Sequence, residues 1–143
     1  MVVAAKALDV LRVPLCGLLL ALGLMSCAPN PIVAEADYPA KLVGDWRGTV
    51  GDTNETIKFN ADRTFVAEVR PAGFISNTLG QGVTGTIRGT WTIAGKVVTL
   101  NVDRAEHERV INRTTTSTIE SFKQSELVVK SSAGTVTTFF RLL

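Results

Sequence analysis

The feature that most constrains the fold is an apolar alternation with a period of two residues, repeated along the chain after residue 41. It is clearest over residues 83–93, where Val83, Ile87 and Trp91 alternate with threonines and an arginine. Because successive side chains of a β-strand point to opposite faces, this pattern predicts a sheet with one apolar face. Eight strands and no helix are predicted in this part of the chain: residues 42–50, 56–60, 64–70, 83–93, 98–102, 115–122, 126–130 and 135–142.

Short turns between successive strands predict that this sheet is an up-and-down antiparallel meander. A single sheet with one apolar face must roll up to bury that face, and closure also removes the exposed edges. We therefore predict an all-β fold, a small antiparallel barrel of about eight strands, over residues 41–143. Glycines relieve crowding where tightly coiled strands bend. Four glycines share the presumed inward face with the two tryptophans: Gly44 and Gly48 beside Trp46, and Gly85 and Gly89 beside Trp91.

The first 26 residues do not fit this pattern. A basic start precedes an apolar run over residues 13–25, which is too short for a membrane-spanning helix and is typical of a secretory signal peptide. The sequence LMSC, residues 24–27, resembles the lipobox of bacterial lipoproteins. The resemblance implies that residues 1–26 are removed and that Cys27 carries a diacylglyceryl group and an N-linked acyl chain such as palmitate. An ordinary signal peptide and an apolar N-terminal helix are the alternatives.

Two or more acyl chains hold a protein stably on a bilayer. Residue 28 is alanine rather than the aspartate that retains many enterobacterial lipoproteins at the inner membrane, so the expected location is the periplasmic face of the outer membrane. Residues 27–40 are rich in alanine and proline without periodicity, which predicts a flexible tether. Cys16 lies in the signal segment and Cys27 is the lipid site, so the predicted mature domain has neither a thiol nor a disulfide.

The sequence Gly44-Asp45-Trp46 in the first strand resembles the Gly-x-Trp signature of lipocalins, which carry a basic residue over this tryptophan where this chain has Arg141. Residues 41–143 look like the lipocalin-like domains of small bacterial lipoproteins in the segments LVGDWRGTV, IKFNADRTF, GTIRGTWTIAGKVVTLNV and TVTTFFRLL. The resemblance implies that Trp46 closes the barrel beneath Arg141. The domain is shorter than a typical lipocalin and lacks the family's central signature and C-terminal helix, which argues against a large cavity. Alternatively, Trp46 is an ordinary core residue and Arg141 is solvated.

The interior of an eight-stranded barrel is just wide enough to be filled by side chains or to hold one small ligand. Large side chains on the presumed inward faces are the candidates for a ligand pocket: Phe59, Phe65, Ile87, Trp91 and Phe140. The same side chains could instead fill the barrel completely. If Thr115, Ser117 and Ser121 face inward, their hydroxyls add the few polar anchors that are typical of small-molecule sites.

The longest predicted loop covers residues 71–82 and contains three apolar residues, Phe74, Ile75 and Leu79. An apolar loop of this kind predicts a lid over the barrel mouth, or a surface for a partner protein or a membrane. The simpler alternative is that these side chains plug the barrel end.

Charge and motifs argue against several classes of function. The 15 basic and 13 acidic residues nearly cancel, and the basic ones are scattered, so no nucleic-acid-binding role is expected. The single histidine, His107, lies between two glutamates in a segment that is better explained as a solvated hairpin tip than as a metal site. No acid, base and nucleophile form a recognisable set, so we expect neither an enzyme nor a cofactor.

Two functions therefore remain open. In the first, a membrane-anchored barrel binds a small lipophilic or amphipathic ligand. In the second, a solid barrel is an interaction module for another protein of the cell envelope, in the manner of small barrel-shaped inhibitors. The volume of the interior separates them, because a hollow barrel favours the first function and dense packing with an exposed apolar patch favours the second.

Overall fold

A computed structural model describes residues 29–50, 53–79 and 82–143. Within these ranges the chain forms eight strands, which close into a barrel, and two short α-helices. The predicted signal peptide over residues 1–26 and the predicted lipid site at Cys27 lie outside the described residues. The strands are β1 Gly44–Val50, β2 Thr53–Phe59, β3 Thr64–Val69, β4 Gly85–Ala94, β5 Val97–Ala105, β6 Thr114–Lys123, β7 Glu126–Ser131 and β8 Val136–Arg141; the helices are α1 Tyr38–Leu42 and α2 Phe74–Leu79, with 3-10 turns at Glu35–Asp37 and Glu108–Val110.

Each strand pairs antiparallel with the next strand of the chain, and β8 pairs with β1 to close the barrel. In the closing pair Trp46 lies opposite Arg141, and Gly48 lies opposite Phe139. A Cβ atom on Gly48 would overlap the Phe139 ring, so the glycine makes room for an aromatic side chain inside the barrel. The predicted all-β, up-and-down barrel of about eight strands is confirmed.

The inward faces of β1 and β4 follow the alternation in the sequence, and Trp46, Ile87 and Trp91 have no exposed surface. The prediction for β8 was wrong in one respect. Phe140, predicted to line a pocket, is 54% exposed, whereas Phe139 is 4% exposed. Because side chains alternate along a strand, the inward position of Phe139 places Phe140 on the outer surface.

A β-bulge in β6 changes which residues face the interior. The pairing of β6 with β7 shifts between Ile119 and Ser121, and beyond this point Phe122 is buried, opposite Leu127. An extra residue in one strand moves each later side chain of that strand to the opposite face of the sheet. Ser121 is therefore not part of the inward hydroxyl wall considered from the sequence, whereas Thr115 precedes the bulge and is buried.

Both α-helices differ from the prediction, which placed a flexible tether where α1 begins and a loop at α2. α1 begins with Tyr38 and Pro39, and proline is well suited to the first turn of a helix because it needs no backbone N–H donor there. α2 lies inside the predicted loop 71–82 and is only six residues long. Neither helix within the described ranges is long and apolar enough to cross a membrane.

Residues 30–42 pack against the barrel, which differs from the flexible tether that was predicted. The backbone N–H of Val33 donates to the carbonyl of Phe122 at 2.9 Å, and the N–H of Gln124 donates to the carbonyl of Pro31 at 3.0 Å. β6 extends past the start of β5, so backbone groups in the last part of β6 have no partner on β5. The N-terminal segment pairs with those groups.

Candidate functional site

The barrel has two ends, which are closed in different ways. One, which we call the α1 end, carries α1 and the turns β2–β3, β4–β5 and β6–β7. The other, which we call the α2 end, carries α2 and the first residues of β6 and β8. This division follows from the antiparallel order, because each strand reverses the direction of the previous one.

At the α1 end, Trp46 seals the barrel. The indole is fully buried, and its Nε1–H donates a hydrogen bond to the carbonyl of Leu42 at 2.8 Å. The Arg141 guanidinium lies over the ring, with Cζ 4.3 Å from the ring centroid. A cation at this distance from the face of an indole is attracted by its quadrupole. The first strand, the last strand and α1 therefore meet at one tryptophan.

Arg141 also ties the last strand to the end of α1. Its Nη1 donates to the carbonyl of Val43 at 2.9 Å, and its Nη2 donates to the carbonyl of Lys41. Its Nε donates to the carbonyl of Gln124 at 3.1 Å. Gly44 has a φ of +135°, and a Cβ atom there would overlap Arg141 Nη1. Both the backbone conformation and the approach of the guanidinium therefore require glycine at position 44.

A second tryptophan–arginine pair lies at the same end. Trp91 is fully buried, and its Nε1–H donates to the carbonyl of Asn60 at 3.1 Å. Arg63, in the β2–β3 turn, has Cζ 4.3 Å from the centroid of the Trp91 ring. Phe59 packs edge-on against the same ring at a centroid distance of 5.4 Å. Sequence reasoning missed this pair because strand parity gives no direction for a side chain in a turn.

An apolar cavity of about 40 Å³ lies between the two ends. Pockets for drug-sized ligands measure roughly 300–1,000 Å³. The cavity therefore has room for about three water molecules at most. Its lining is apolar apart from one serine: Leu42, Trp46, Ile57, Phe59, Phe74, Ile75, Val98, Leu100, Ser117, Leu127, Val129 and Phe139.

The predicted pocket residues are distributed in three ways. Phe59 lines the cavity. Three others are buried without lining it: Phe65, Ile87 and Trp91. Phe140 is on the outer surface, as described above. Sequence reasoning missed the part of the cavity wall that β7 and β8 form, which consists of Leu127, Val129 and Phe139. The alternation in β7 signals the first two of these residues.

At the α2 end, α2 plugs the barrel. Phe74, Ile75 and Leu79, the residues of the predicted lid or partner loop, are all buried. Phe74 packs edge-on against Phe139 at a centroid distance of 5.8 Å. Phe74 and Ile75 also form part of the cavity wall, so α2 is the roof of the cavity. Any enlargement of the cavity at this end requires α2 to move.

One buried carboxylate holds α2 in place. Glu55, on the inward face of β2, is 2% exposed, and its Oε2 accepts a hydrogen bond from the N–H of Ile75 at 2.9 Å. Its Oε1 accepts one from the N–H of Arg70 at 3.4 Å. Glu55 thereby caps the first turn of α2, which Gly73, with no side chain, cannot cap itself. A Cβ atom on Gly73 would overlap the carboxylate, so the glycine is what allows Glu55 to approach.

Burial raises the pKa of Glu55 above its ordinary value of 4.5. Backbone N–H groups oppose this shift because they stabilise the charged carboxylate, but burial is the larger effect. These donors are Ile75, Arg70, Ser76 and Phe74. Glu55 is therefore protonated more readily in the barrel than a carboxyl group in water.

Sequence reasoning did not single out Glu55, although a signal for it exists. Glu55 has the same parity as Ile57 and Phe59 in β2, and Phe59 was assigned to an inward face. An acidic residue on the apolar face of a strand needs a buried partner. Here the partners are the backbone N–H groups of a helix that was not predicted.

Among the described residues, three buried hydroxyls at the α2 end have no hydrogen-bond partner. Ser76 is in α2, and Thr115 and Thr137 are the second residues of β6 and β8. All three are at least nine-tenths buried. Buried polar groups are nearly always paired, and leaving one unpaired costs about 1–3 kcal/mol. These hydroxyls, which we call the hydroxyl cluster, are candidate anchors for the polar group of a bound molecule.

The cavity has an apolar wall with one serine, and the hydroxyl cluster, which does not line the cavity, lies at the α2 end. In the part of the chain that the structure describes, no group of three or more His, Cys, Asp or Glu side chains is placed to hold a metal ion. His107 lies close to a hydroxyl, with Nε2 3.4 Å from Thr84 Oγ1.

No protein-family model matches the sequence, and no curated protein matches it either. Among solved structures, the chain is similar to a lipocalin-like protein from Bacteroides uniformis ATCC 8492, whose crystal structure was determined at 1.79 Å resolution. The two are 17% identical, and the match covers 71% of this chain and 99% of the other, with a TM-score of 0.49. The fold class follows from the closed strand pairing described above and does not depend on this similarity.

Proposed function

We propose that this protein is a lipid-anchored barrel protein of the bacterial cell envelope that binds a small lipophilic or amphipathic molecule. The ligand enters at the α2 end and takes the space of the α2 side chains. Its apolar part contacts the wall around Phe59 and Phe139, and its polar group pairs with the hydroxyl cluster. The role is binding and not catalysis.

The observation that carries this proposal is the position of the hydroxyl cluster. Ser76, Thr115 and Thr137 lie at the end that α2 closes, and they stay without protein partners while α2 is in place. A packed core needs no such groups, since an apolar residue of similar shape would avoid the loss of their hydration. A ligand with a hydroxyl, amide or carboxyl group supplies the missing hydrogen bonds.

Movement of α2 provides the entry route. A six-residue helix is far too short to be stable by itself, so its conformation depends on contacts with the barrel. The contact at its first turn is the buried carboxylate of Glu55, whose charge is disfavoured by burial. Elements with low local stability are the ones from which lids are drawn.

The direct test of the proposal is a binding measurement on the full-length protein. Native mass spectrometry of protein purified from its own membrane should reveal a co-purifying small molecule. A dansyl-labelled fatty acid should gain fluorescence on binding, because the dye leaves water.

The hydroxyl cluster supplies matched variants for this test. Thr115→Val and Thr137→Val remove a buried hydroxyl at constant shape and should each weaken probe binding by roughly tenfold, which corresponds to a hydrogen bond of about 1.4 kcal/mol. Thr116→Val changes the neighbouring exposed residue of β6 and should leave binding unchanged. Equal affinity in all three variants would contradict the role of the cluster.

Two observations favour a second candidate function. The cavity of about 40 Å³ is small, and the outer face of β8 carries two exposed apolar residues, Val136 and Phe140. These are features of a solid barrel that serves as an interaction module for an envelope protein. If no small molecule co-purifies and the dansyl probe does not bind, this second function is the one to pursue.

A further inference from the structure

We infer that the α1 end of the barrel rests on the membrane to which Cys27 is attached, with Ile32 and Phe140 in contact with the lipid. This inference rests on the lipid anchor of the proposed function. It adds an orientation, in which the α2 end, with its hydroxyl cluster, is directed away from the bilayer.

Chain length is the first argument for this orientation. The side chain of Asn30 accepts a hydrogen bond from the N–H of Ser125 at 3.0 Å, in the turn between β6 and β7. Two residues, Ala28 and Pro29, lie between Cys27 and Asn30, so three Cα–Cα steps join them. An extended chain spans at most about 3.6 Å per residue. An acylated Cys27 therefore keeps Asn30, which is hydrogen-bonded to this turn, within roughly 11 Å of the lipid headgroups. A barrel on a long flexible tether would have no such restriction.

The exposed apolar residues around this turn are the second argument. Ile32 is 82% exposed and forms a β-bridge with Lys123, immediately before the turn. On the other side of the turn, Phe140 is 54% exposed and lies opposite Glu126. Apolar side chains of this size have a lower free energy in the interface of a bilayer than in water. They lie where the anchor brings the protein closest to the lipid.

The charged groups of this region are mixed in sign and partly paired. Lys123 and Glu126, which lie between the two apolar residues, form an ion pair at 2.9 Å. Arg47 lies opposite Phe140 in the pairing of β1 with β8, and its neighbour Asp45 is also exposed. Since no charge of one sign dominates, contact with the membrane depends on apolar burial, and it should change little with ionic strength.

The outer face of β8 offers a matched pair for the test. Phe140 and Val136 are exposed to nearly the same degree, 54% and 55%, but lie at opposite ends of the strand. Phe140→Cys and Val136→Cys, each labelled with the dye NBD, place one probe at each end of the barrel. Ile32→Cys serves as a second probe near the anchor, and Ala133→Cys as a second one at the α2 end.

The measurement uses the full-length, acylated protein in vesicles of phosphatidylethanolamine and phosphatidylglycerol, with nitroxide-labelled lipids as quenchers. We expect quenching and a blue-shifted emission for the labels at positions 32 and 140, and neither at positions 133 and 136. Raising the salt concentration should leave the quenching unchanged. Equal quenching at both ends, or none at position 140, would overturn the orientation.

Two further outcomes separate this inference from the proposals on which it depends. Mass spectrometry of the purified protein tests the acyl groups on Cys27, and their absence would overturn the anchor and the orientation together. A blue shift at position 140 without quenching by nitroxide lipids would mean that Phe140 is covered by another protein or by a second copy, which overturns the lipid contact while the anchor stands.

Discussion

The two ends of the barrel bury polar groups in opposite ways. At the α1 end, both indole N–H groups donate hydrogen bonds to backbone carbonyls, and both rings lie beneath an arginine. The aromatic packing continues outward from Trp46, through Phe122 at 5.7 Å, to Tyr38 at 5.1 Å from Phe122. This end combines large buried rings with satisfied polar groups, which is the combination that stabilises a core.

At the α2 end, a short helix covers a buried carboxylate and the unpaired hydroxyl cluster. Glu55 accepts hydrogen bonds from backbone donors, and the pKa of this residue is raised by burial. The buried indole N–H groups at the α1 end are paired, which stabilises the fold. The α2 end instead retains buried hydroxyls that a packed core does not need. Stability that is given up in one region of a fold often marks the region that functions.

The largest effect on stability is expected from Trp46→Ala at the α1 end. Removal of a fully buried indole leaves a cavity and takes away the platform for Arg141, so we expect a loss of about 3–5 kcal/mol in unfolding free energy. Phe74→Ala at the α2 end should cost clearly less, because α2 can shift to fill the space. Denaturant melts of the two variants measure the contrast. Equal losses would mean that α2 is as integral to the core as Trp46.

The next effect is expected from Gly73→Ala at the α2 end. The new Cβ atom displaces the Glu55 carboxylate and leaves the N–H of Ile75 without its acceptor, which should cost about 2 kcal/mol. Hydrogen exchange should accelerate in α2 and stay unchanged at Trp46. Ser132→Ala, at an exposed turn of the same end, is the control and should alter neither. Unchanged protection of α2 would show that Glu55 does not hold it.

The barrel and the buried position of Trp46 at its α1 end could be predicted from the sequence because the signals there are local and regular. Alternation with a period of two residues assigns a face to each strand residue, and glycine beside tryptophan marks where the sheet curls. Trp46 and Arg141 were placed by a family resemblance, and they meet in the structure. Residue patterns of this kind depend on backbone geometry that every strand shares.

The α2 end could not be predicted because its structure depends on contacts between distant parts of the chain. The helix Phe74–Leu79 has three polar residues of modest helix propensity, and its cap is Glu55, from a strand far earlier in the chain. Phe140 was misassigned for a related reason. Phe139 and Phe140 are adjacent and equally apolar, so alternation cannot choose between them, whereas the pairing of β8 with β1 does.

The hydroxyl cluster allows a test that should change stability in the opposite direction from Trp46→Ala. Thr115→Val and Thr137→Val each replace an unpaired buried hydroxyl with a methyl group of the same shape, and each should stabilise the free protein by about 1 kcal/mol. Thermal melts without ligand measure this change, with Thr116→Val as the exposed control. A loss of stability would mean that the hydroxyls are paired in solution, for instance through bound water.

The smallest expected effect is the dependence of stability on pH through Glu55. Because burial raises the pKa of the folded carboxylate above 4.5, folding favours the protonated form, and the stability that Glu55 contributes is fully present below pH 4.5. That contribution is lost as the pH rises through the raised pKa, above which the buried charge weakens the closed position of α2.

Glu55→Gln keeps an oxygen acceptor without the charge, so the unfolding free energy of the wild type minus that of the variant should fall as the pH rises. The subtraction removes the other carboxylates, including the exposed Asp62, whose pKa is lowered by its hydrogen bonds to Thr64. A difference that increases with pH would mean that the N–H donors of α2 outweigh burial, and the charge on Glu55 would then fasten the lid instead of loosening it.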